Sequence, residues 1–181
     1  EKGAAKKASL VRRSEALHLS QTAQFNNPDA RIIFSTLLKS KLLEEYASSI
    51  KGSRTGDVLQ YARLFWEYNI LREYNVKFLD SPRKNDLWSG RQNVLTCNLD
   101  NARLNRELGL GIRGQTMWNR RGLVLRLAGQ LFPAIYDGEL YSDNVGVICA
   151  NENINTESIV EYGLSGQLER NIRAIDSKLN T

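Results

Sequence analysis

Histidine occurs once in this chain, cysteine twice and proline three times. Each scarcity removes a class of chemistry. His18 stands in a weakly alternating segment with no second histidine or cysteine beside it, which argues against a metal site or an acid–base role. Cys97 and Cys149 lie far apart without metal-ligand company and read as small buried residues of a reducing compartment rather than a disulfide. No run of about 18 apolar residues exists, so no membrane span or membrane partner is expected. The start, EKGAAKKASL, lacks the apolar core of a signal peptide and looks like the interior of a longer protein. The expectation is a soluble cytoplasmic fragment. No G-x-S-x-G, H-E-x-x-H or P-loop pattern is present either.

What is present is an ordinary globular composition, 41% hydrophobic and 25% charged, with an uneven distribution of charge. Lys2, Lys6, Lys7, Arg12 and Arg13 oppose only Glu1 at the start. Between residues 103 and 126 there are six arginines against Glu107, whereas from Tyr136 onward eight acids outnumber three bases. A polyanion would be repelled by one end and attracted to the middle, the asymmetry of a face that meets nucleic acid. A solvated surface with a basic bias accounts for the same counts.

Periodicity and turn residues predict a mixed order of elements. Ser14 to Ser20 alternates weakly as an edge strand, and Asn26-Asn27-Pro28-Asp29 is a turn before a short strand over Arg31 to Phe34. Leu37, Leu38, Lys41, Leu42 and Tyr46 suit one side of a helix, and Tyr61 to Tyr68 is rich in strand formers. A turn-rich stretch from Asp80 to Gly90 precedes a strand over Gln92 to Cys97 and a helix over Asp100 to Leu108. Strands follow at Leu123 to Leu127, Phe132 to Tyr136 and Val145 to Cys149, with Asp137-Gly138 turning between the last two. Thr156 caps a helix over Glu157 to Tyr162, and Ser165 caps another whose face carries Leu168, Ile172, Ile175 and Leu179. The class is α+β, with a curved, mainly antiparallel sheet and flanking helices. Residues 1–26 form a basic lead-in and 27–181 a single domain.

Two stretches carry candidate binding chemistry. Lys51-Gly52-Ser53-Arg54-Thr55-Gly56-Asp57 combines glycines, two hydroxyls and two cations, suiting contact with a DNA backbone; an ordinary surface turn has the same composition. It lacks the ending and the preceding apolar strand of a nucleotide-binding loop. Gly111-Ile112-Arg113-Gly114-Gln115-Thr116-Met117-Trp118-Asn119-Arg120-Arg121-Gly122 is richer. Arginine clamps phosphate or reads a guanine edge, glutamine reads adenine, and tryptophan offers a wedge. Two readings stand for it: a groove-contacting loop, or a tight turn whose Trp118 caps the core. The acid pairs Asp137 with Glu139 and Glu157 with Glu161 lack the spacing of a nuclease metal site, and acids after Thr156 suit a helix start.

Several pieces in order resemble the region after the catalytic domain of large adenine-specific DNA methyltransferases of the fused restriction–modification (type IIG-like) kind. They are Asn27-Pro28-Asp29-Ala30-Arg31-Ile32, Leu43 to Ala47 with Gly52 to Asp57, Phe65-Trp66-Glu67, and Gly90-Arg91-Gln92. After these come Ile112-Arg113-Gly114 through Trp118 to Gly122, Tyr136-Asp137-Gly138-Glu139, and Ile175-Asp176-Ser177-Lys178-Leu179-Asn180. Together they cover about residues 27 to 181. The resemblance implies a target-recognition domain that presents loops to duplex DNA while a missing upstream catalytic domain flips the adenine and methylates it from S-adenosylmethionine. That chemistry needs a glycine-rich cofactor loop and an Asn/Asp-Pro-Pro-aromatic motif. With prolines only at 28, 82 and 133, the second is excluded, so no catalytic residue and no cofactor are expected in this fragment. The resemblance locates loops, and side-chain chemistry selects residues within them. Lys51, Arg54 and Arg91 are expected phosphate contacts, and Arg113, Gln115, Trp118, Arg120 and Arg121 are expected near the groove. The alternative is a non-catalytic protein-docking domain of a larger assembly, its apolar C-terminal helix packing on another helix; RNA binding through exposed aromatics is a third reading.

Overall fold

A computed structural model of the chain describes residues 2–14, 18–27, 30–33, 41–56, 61–70, 75–107 and 109–175. It divides into two units, Glu1–Lys39 and Ser40–Thr181, where the sequence suggests a boundary after residue 26. In the first unit, helix α1 (Lys2–Arg13) ends on Arg12 and Arg13, two cations that suit the negative end of a helix. A single turn, α2 (Gln21–Gln24), is capped by the Ser20 hydroxyl accepting from the Ala23 amide. Neither strand expected here forms among the described residues. Residues 14 and 18–20 pair with nothing as strands, and 15–17 lie outside the described residues. Around Arg31 to Ile33, the side chains of Asn27 and Gln24 take the Arg31 carbonyl and the Ile33 amide, at 2.9 and 2.8 Å, and stand in for a strand partner. Phe34 is outside the described residues.

Among the described residues the second unit holds ten strands: β1 (Ala47–Lys51), β2 (Arg54–Thr55), β3 (Ala62–Leu64), β4 (Asn75–Leu79), β5 (Asn93–Thr96), β6 (Leu110–Gly111), β7 (Gly122–Arg126), β8 (Pro133–Tyr136), β9 (Leu140–Tyr141) and β10 (Val145–Ala150). Its helices are α3 (Ala102–Glu107), α4 (Thr156–Leu164) and α5 (Gln167–Ile175). The class is α+β with mainly antiparallel pairing. In place of one curved sheet the described residues form two four-stranded sheets and a short ribbon. The first sheet runs β1-β10-β7-β8 and is wholly antiparallel. The second runs β3-β5-β4-β9, with β9 parallel to β4, and β2 pairs with β6.

Burial follows the pleat. Leu123, Leu125, Ile148 and Ala150 meet Ile159 of α4 and Leu168 of α5 on one face of the first sheet. Val124, Val145, Val147 and Cys149 point the other way, onto Leu79, Met117, Tyr136 and Tyr141. All six residues of β10 are therefore buried. The second sheet keeps a core of its own, in which Phe78, Leu95, Cys97, Leu110 and Leu140 meet.

Of the helix expected around Leu37 to Tyr46, residues 37–40 lie outside the described residues, and over 41–46 only a single 3-10 turn, Leu43–Glu45, forms. Tertiary pairing overrides helical spacing there, because β1 follows at once with Ala47 opposite Ala150. The strand over Tyr61 to Tyr68 stops at Leu64, where the Glu67 carboxylate folds back to accept the Leu64 amide at 2.8 Å and closes a turn over Phe65–Glu67. Helix α4 is capped by Asn155, which accepts from the Glu157 amide at 2.9 Å, rather than by Thr156. Ser165 takes the Gln167 amide at the start of α5, as expected.

Both cysteines are free and buried. Burial pushes the Cys97 thiol up to about 11 and raises that of Cys149, against which Arg120 acts. Tyr141 is likewise pushed up to about 12 by burial. A group with a raised folded-state pKa binds its proton longer in the native state, so the unfolded chain loses protons first as pH rises. Stability measured by urea unfolding should be insensitive to these groups below about pH 9 and fall as pH climbs toward about 11. Both thiols should also resist a disulfide reagent until the chain unfolds; rapid native-state labelling would contradict their burial.

Candidate nucleic-acid interface

The two basic stretches, some sixty positions apart in the sequence, meet in space. Gly52 presses against β9, with the Ser53 amide donating to the Tyr141 carbonyl at 2.7 Å and the Asp143 amide donating to the Ser53 carbonyl at 2.9 Å. The buried Ser53 hydroxyl accepts from the Arg113 amide at 2.9 Å and lies 3.0 Å from the Arg113 carbonyl, to which it donates. Arg54 stands opposite Gly111 in the β2–β6 ribbon. One serine thus joins the stretch carrying Lys51 and Arg54 to the loop carrying Arg113 and Gln115.

Two glycines make the junction possible. A Cβ on Gly52 would collide with the Tyr141 and Ser142 carbonyls, and Gly114, at φ +80°, would drive one into the Tyr141 hydroxyl. The stretch from Lys51 is therefore a strand end, a bridge and a second short strand rather than an open cradle. Ser53 is committed to Arg113 and offers no donor to phosphate. Gly114 opens a 3-10 turn over Gln115–Met117, in which Met117 is buried and Gln115 exposed.

The expected site residues divide into two groups. Lys51, Arg54, Arg113, Gln115 and Arg121 are exposed. Arg121 reaches Glu157 at 3.1 Å, and with side chains 49% and 56% exposed that pair contributes little. The other group turns inward. Arg91 forms an ion pair with Glu139, donates to the Ile135 carbonyl at 2.7 Å and lies over Trp88 at 5.0 Å, while its Nη1 is buried without a hydrogen bond. Arg120 donates to the Ala150 carbonyl and approaches the Thr116 carbonyl and the Met117 sulfur, tying its loop to the end of β10. Trp118 packs against the cores of both sheets, and its indole N–H is buried without an acceptor. Arg91, Arg120 and Trp118 thus each make contacts within the fold. The core-capping reading of Trp118 describes its position.

Sequence reasoning passed over Lys77, exposed in the middle of β4, although Val76 and Phe78 flank it with a strand's period of two. It also passed over Trp88, 52% exposed in the turn-rich stretch. Among the described residues no three His, Cys, Asp or Glu side chains gather as a metal site, and no helix is long and apolar enough to cross a membrane. What the exposed group can do chemically is hold a polyanion, since Lys51, Arg54 and Arg113 display three cations on one rigid backbone junction. No protein-family model matches this chain, and no curated protein matches it either.

Proposed function

We propose that the chain is the DNA-binding target-recognition segment of an adenine-specific, S-adenosylmethionine-dependent DNA methyltransferase of the restriction–modification kind. The observation that carries its DNA-binding part is the Ser53 junction, which sets Lys51, Arg54 and Arg113 on adjoining backbone with Gln115 beside them. Fixed cations position a duplex through its phosphates, and an exposed amide in the same loop is the type of group that reads an adenine edge. The methyltransferase part rests on the resemblance of the ordered segments. Methyl transfer and its cofactor belong, in this reading, to a catalytic domain outside this chain.

Of the apolar face on which the docking alternative rests, Leu168 is buried and Ile172 packs beside it on the first sheet, and Leu179 lies outside the described residues. Packing of those two residues within the domain favours the DNA-binding reading over docking. The test is fluorescence anisotropy with a mixed-sequence DNA duplex over a range of salt, with duplex RNA as control. Three phosphate contacts predict a slope of log affinity against log salt of about −3, and preference for DNA. Equal binding of both duplexes, or none at the lowest salt, would overturn the DNA-binding reading of this fragment.

A further inference from the structure

The outer face of the second sheet is built differently from the Ser53 junction. Direct pairing puts Arg63, Val94 and Lys77 in one row across β3, β5 and β4, so their side chains share a face. The inner rows, Ala62 with Leu95 and Val76, then Leu64 with Asn93 and Phe78, turn toward the sheet's own core. On the outer face Arg63 and Lys77 are both exposed. In the next row Asn75 donates to the Thr96 hydroxyl at 3.2 Å, and the Tyr68 hydroxyl lies 3.0 Å from the same oxygen. The face thus carries two exposed cations and a polar row, with Val94 buried between the cations and Leu79 buried at the end of β4.

At its edge, directly after β3, stand Phe65 and Trp66, 51% and 59% exposed, with ring centroids 4.9 Å apart in an edge-to-face pair. Their position is fixed, because the Phe65 amide donates to the Gln92 carbonyl at 2.9 Å and Glu67 closes the turn beneath them. That carboxylate accepts the Leu64 amide at 2.8 Å. Two large rings held in water by a rigid turn expose apolar area that the core could have used.

We propose that this face binds an unpaired stretch of DNA, with bases stacking on Phe65 and Trp66 and the strand's phosphates passing Lys77. Exposed rings beside a basic sheet face meet both needs of a flexible polynucleotide: a π-surface that accepts any base, and a cation for the backbone. A duplex cannot use the rings without unstacking, so this site adds single-strand binding that is separate from the cations of the Ser53 junction. It stands whether or not the duplex reading holds.

The experiment is a titration of the whole chain with a short oligothymidylate, read by tryptophan fluorescence and by anisotropy of the labelled strand. Binding should quench the tryptophan signal, and Phe65→Ala with Trp66→Ala should weaken it by about fivefold or more. Lys77→Ala should lower the salt slope by about 0.7. Arg54→Ala with Arg113→Ala should leave oligothymidylate binding in place. Circular dichroism checks the fold of each variant, and if the aromatic double variant fails to fold, Lys77→Glu decides by its loss of binding. The proposal is overturned if oligothymidylate does not bind, if the folded aromatic variant binds as well as the parent, if Lys77→Glu changes nothing, or if the Arg54 and Arg113 variant loses single strands too.

Discussion

Replacing Gly52 by alanine should destabilise the second unit by about 3 kcal/mol, measured as the loss of unfolding free energy in urea. The new methyl would meet the carbonyls of Tyr141 and Ser142 and the Tyr141 ring. None of these is the free end of a flexible side chain. To relieve the clash the chain must move away from β9, which breaks the hydrogen bond from the Ser53 amide to Tyr141 and strains that from the Asp143 amide to Ser53. Overpacking of this kind costs about 1–3 kcal/mol, and each lost hydrogen bond adds about 1 kcal/mol. Gly3, exposed in α1 with nothing near its missing Cβ, is the control. Alanine there should leave the second unit's unfolding free energy unchanged, and equal effects at both positions would show that the close approach at Gly52 is not what stabilises the fold.

The second large effect is expected on binding. Arg54→Ala with Arg113→Ala removes two of the three cations at the Ser53 junction while leaving the serine's bonds to the Arg113 backbone intact. Duplex affinity at low salt should fall about tenfold per arginine, equivalent to about 1.4 kcal/mol each. The salt slope should shrink by about two units, because two fewer counterions are released. Arg120→Ala offers the contrast. Its guanidinium holds the Ala150 carbonyl, so its loss should appear in thermal stability with the salt slope unchanged. Should Arg120→Ala flatten the slope while the Arg54 and Arg113 variant keeps it, the assignment of exposed and inward cations would be reversed.

Much of the first sheet is visible in the sequence because its strands announce themselves. Leu123 to Leu127 and Val145 to Cys149 are apolar runs bounded by glycine and asparagine, and both become strands at nearly those bounds. Strand β1, Ala-Ser-Ser-Ile-Lys, has no such pattern, and only its pairing with β10, about a hundred positions away, makes it a strand. Strand β4 does carry an alternating pattern, but it is short and follows a stretch of mixed character.

The candidate site was legible in residue type and not in role. Arginine content marks the Gly111 to Gly122 loop, yet nothing local distinguishes Arg113, which faces water, from Arg120, which reaches Ala150. Similarly, Gly90-Arg91-Gln92, Tyr136-Asp137-Gly138-Glu139 and Phe65-Trp66-Glu67 stand out as separate short pieces. In the fold they adjoin: Phe65 donates to Gln92, Arg91 pairs with Glu139, and Asn119 donates to Gly138. Such long-range partners have no signature in a single sequence.

The central place of β10 has a bearing on how the chain acquires its shape during synthesis. Strands β7 and β8 can pair as soon as both have been made, since a short loop connects them. Strand β1, made long before, has β10 as its partner in the sheet and must wait through nearly a hundred residues of translation for it. Until Ala150 has emerged, the β1 edge and the inner faces of β7 remain open to water and to other chains. Folding of this unit is therefore expected to be a late, slow closure rather than a progressive one, because distant strands must find each other before their contacts compensate the entropy of joining them.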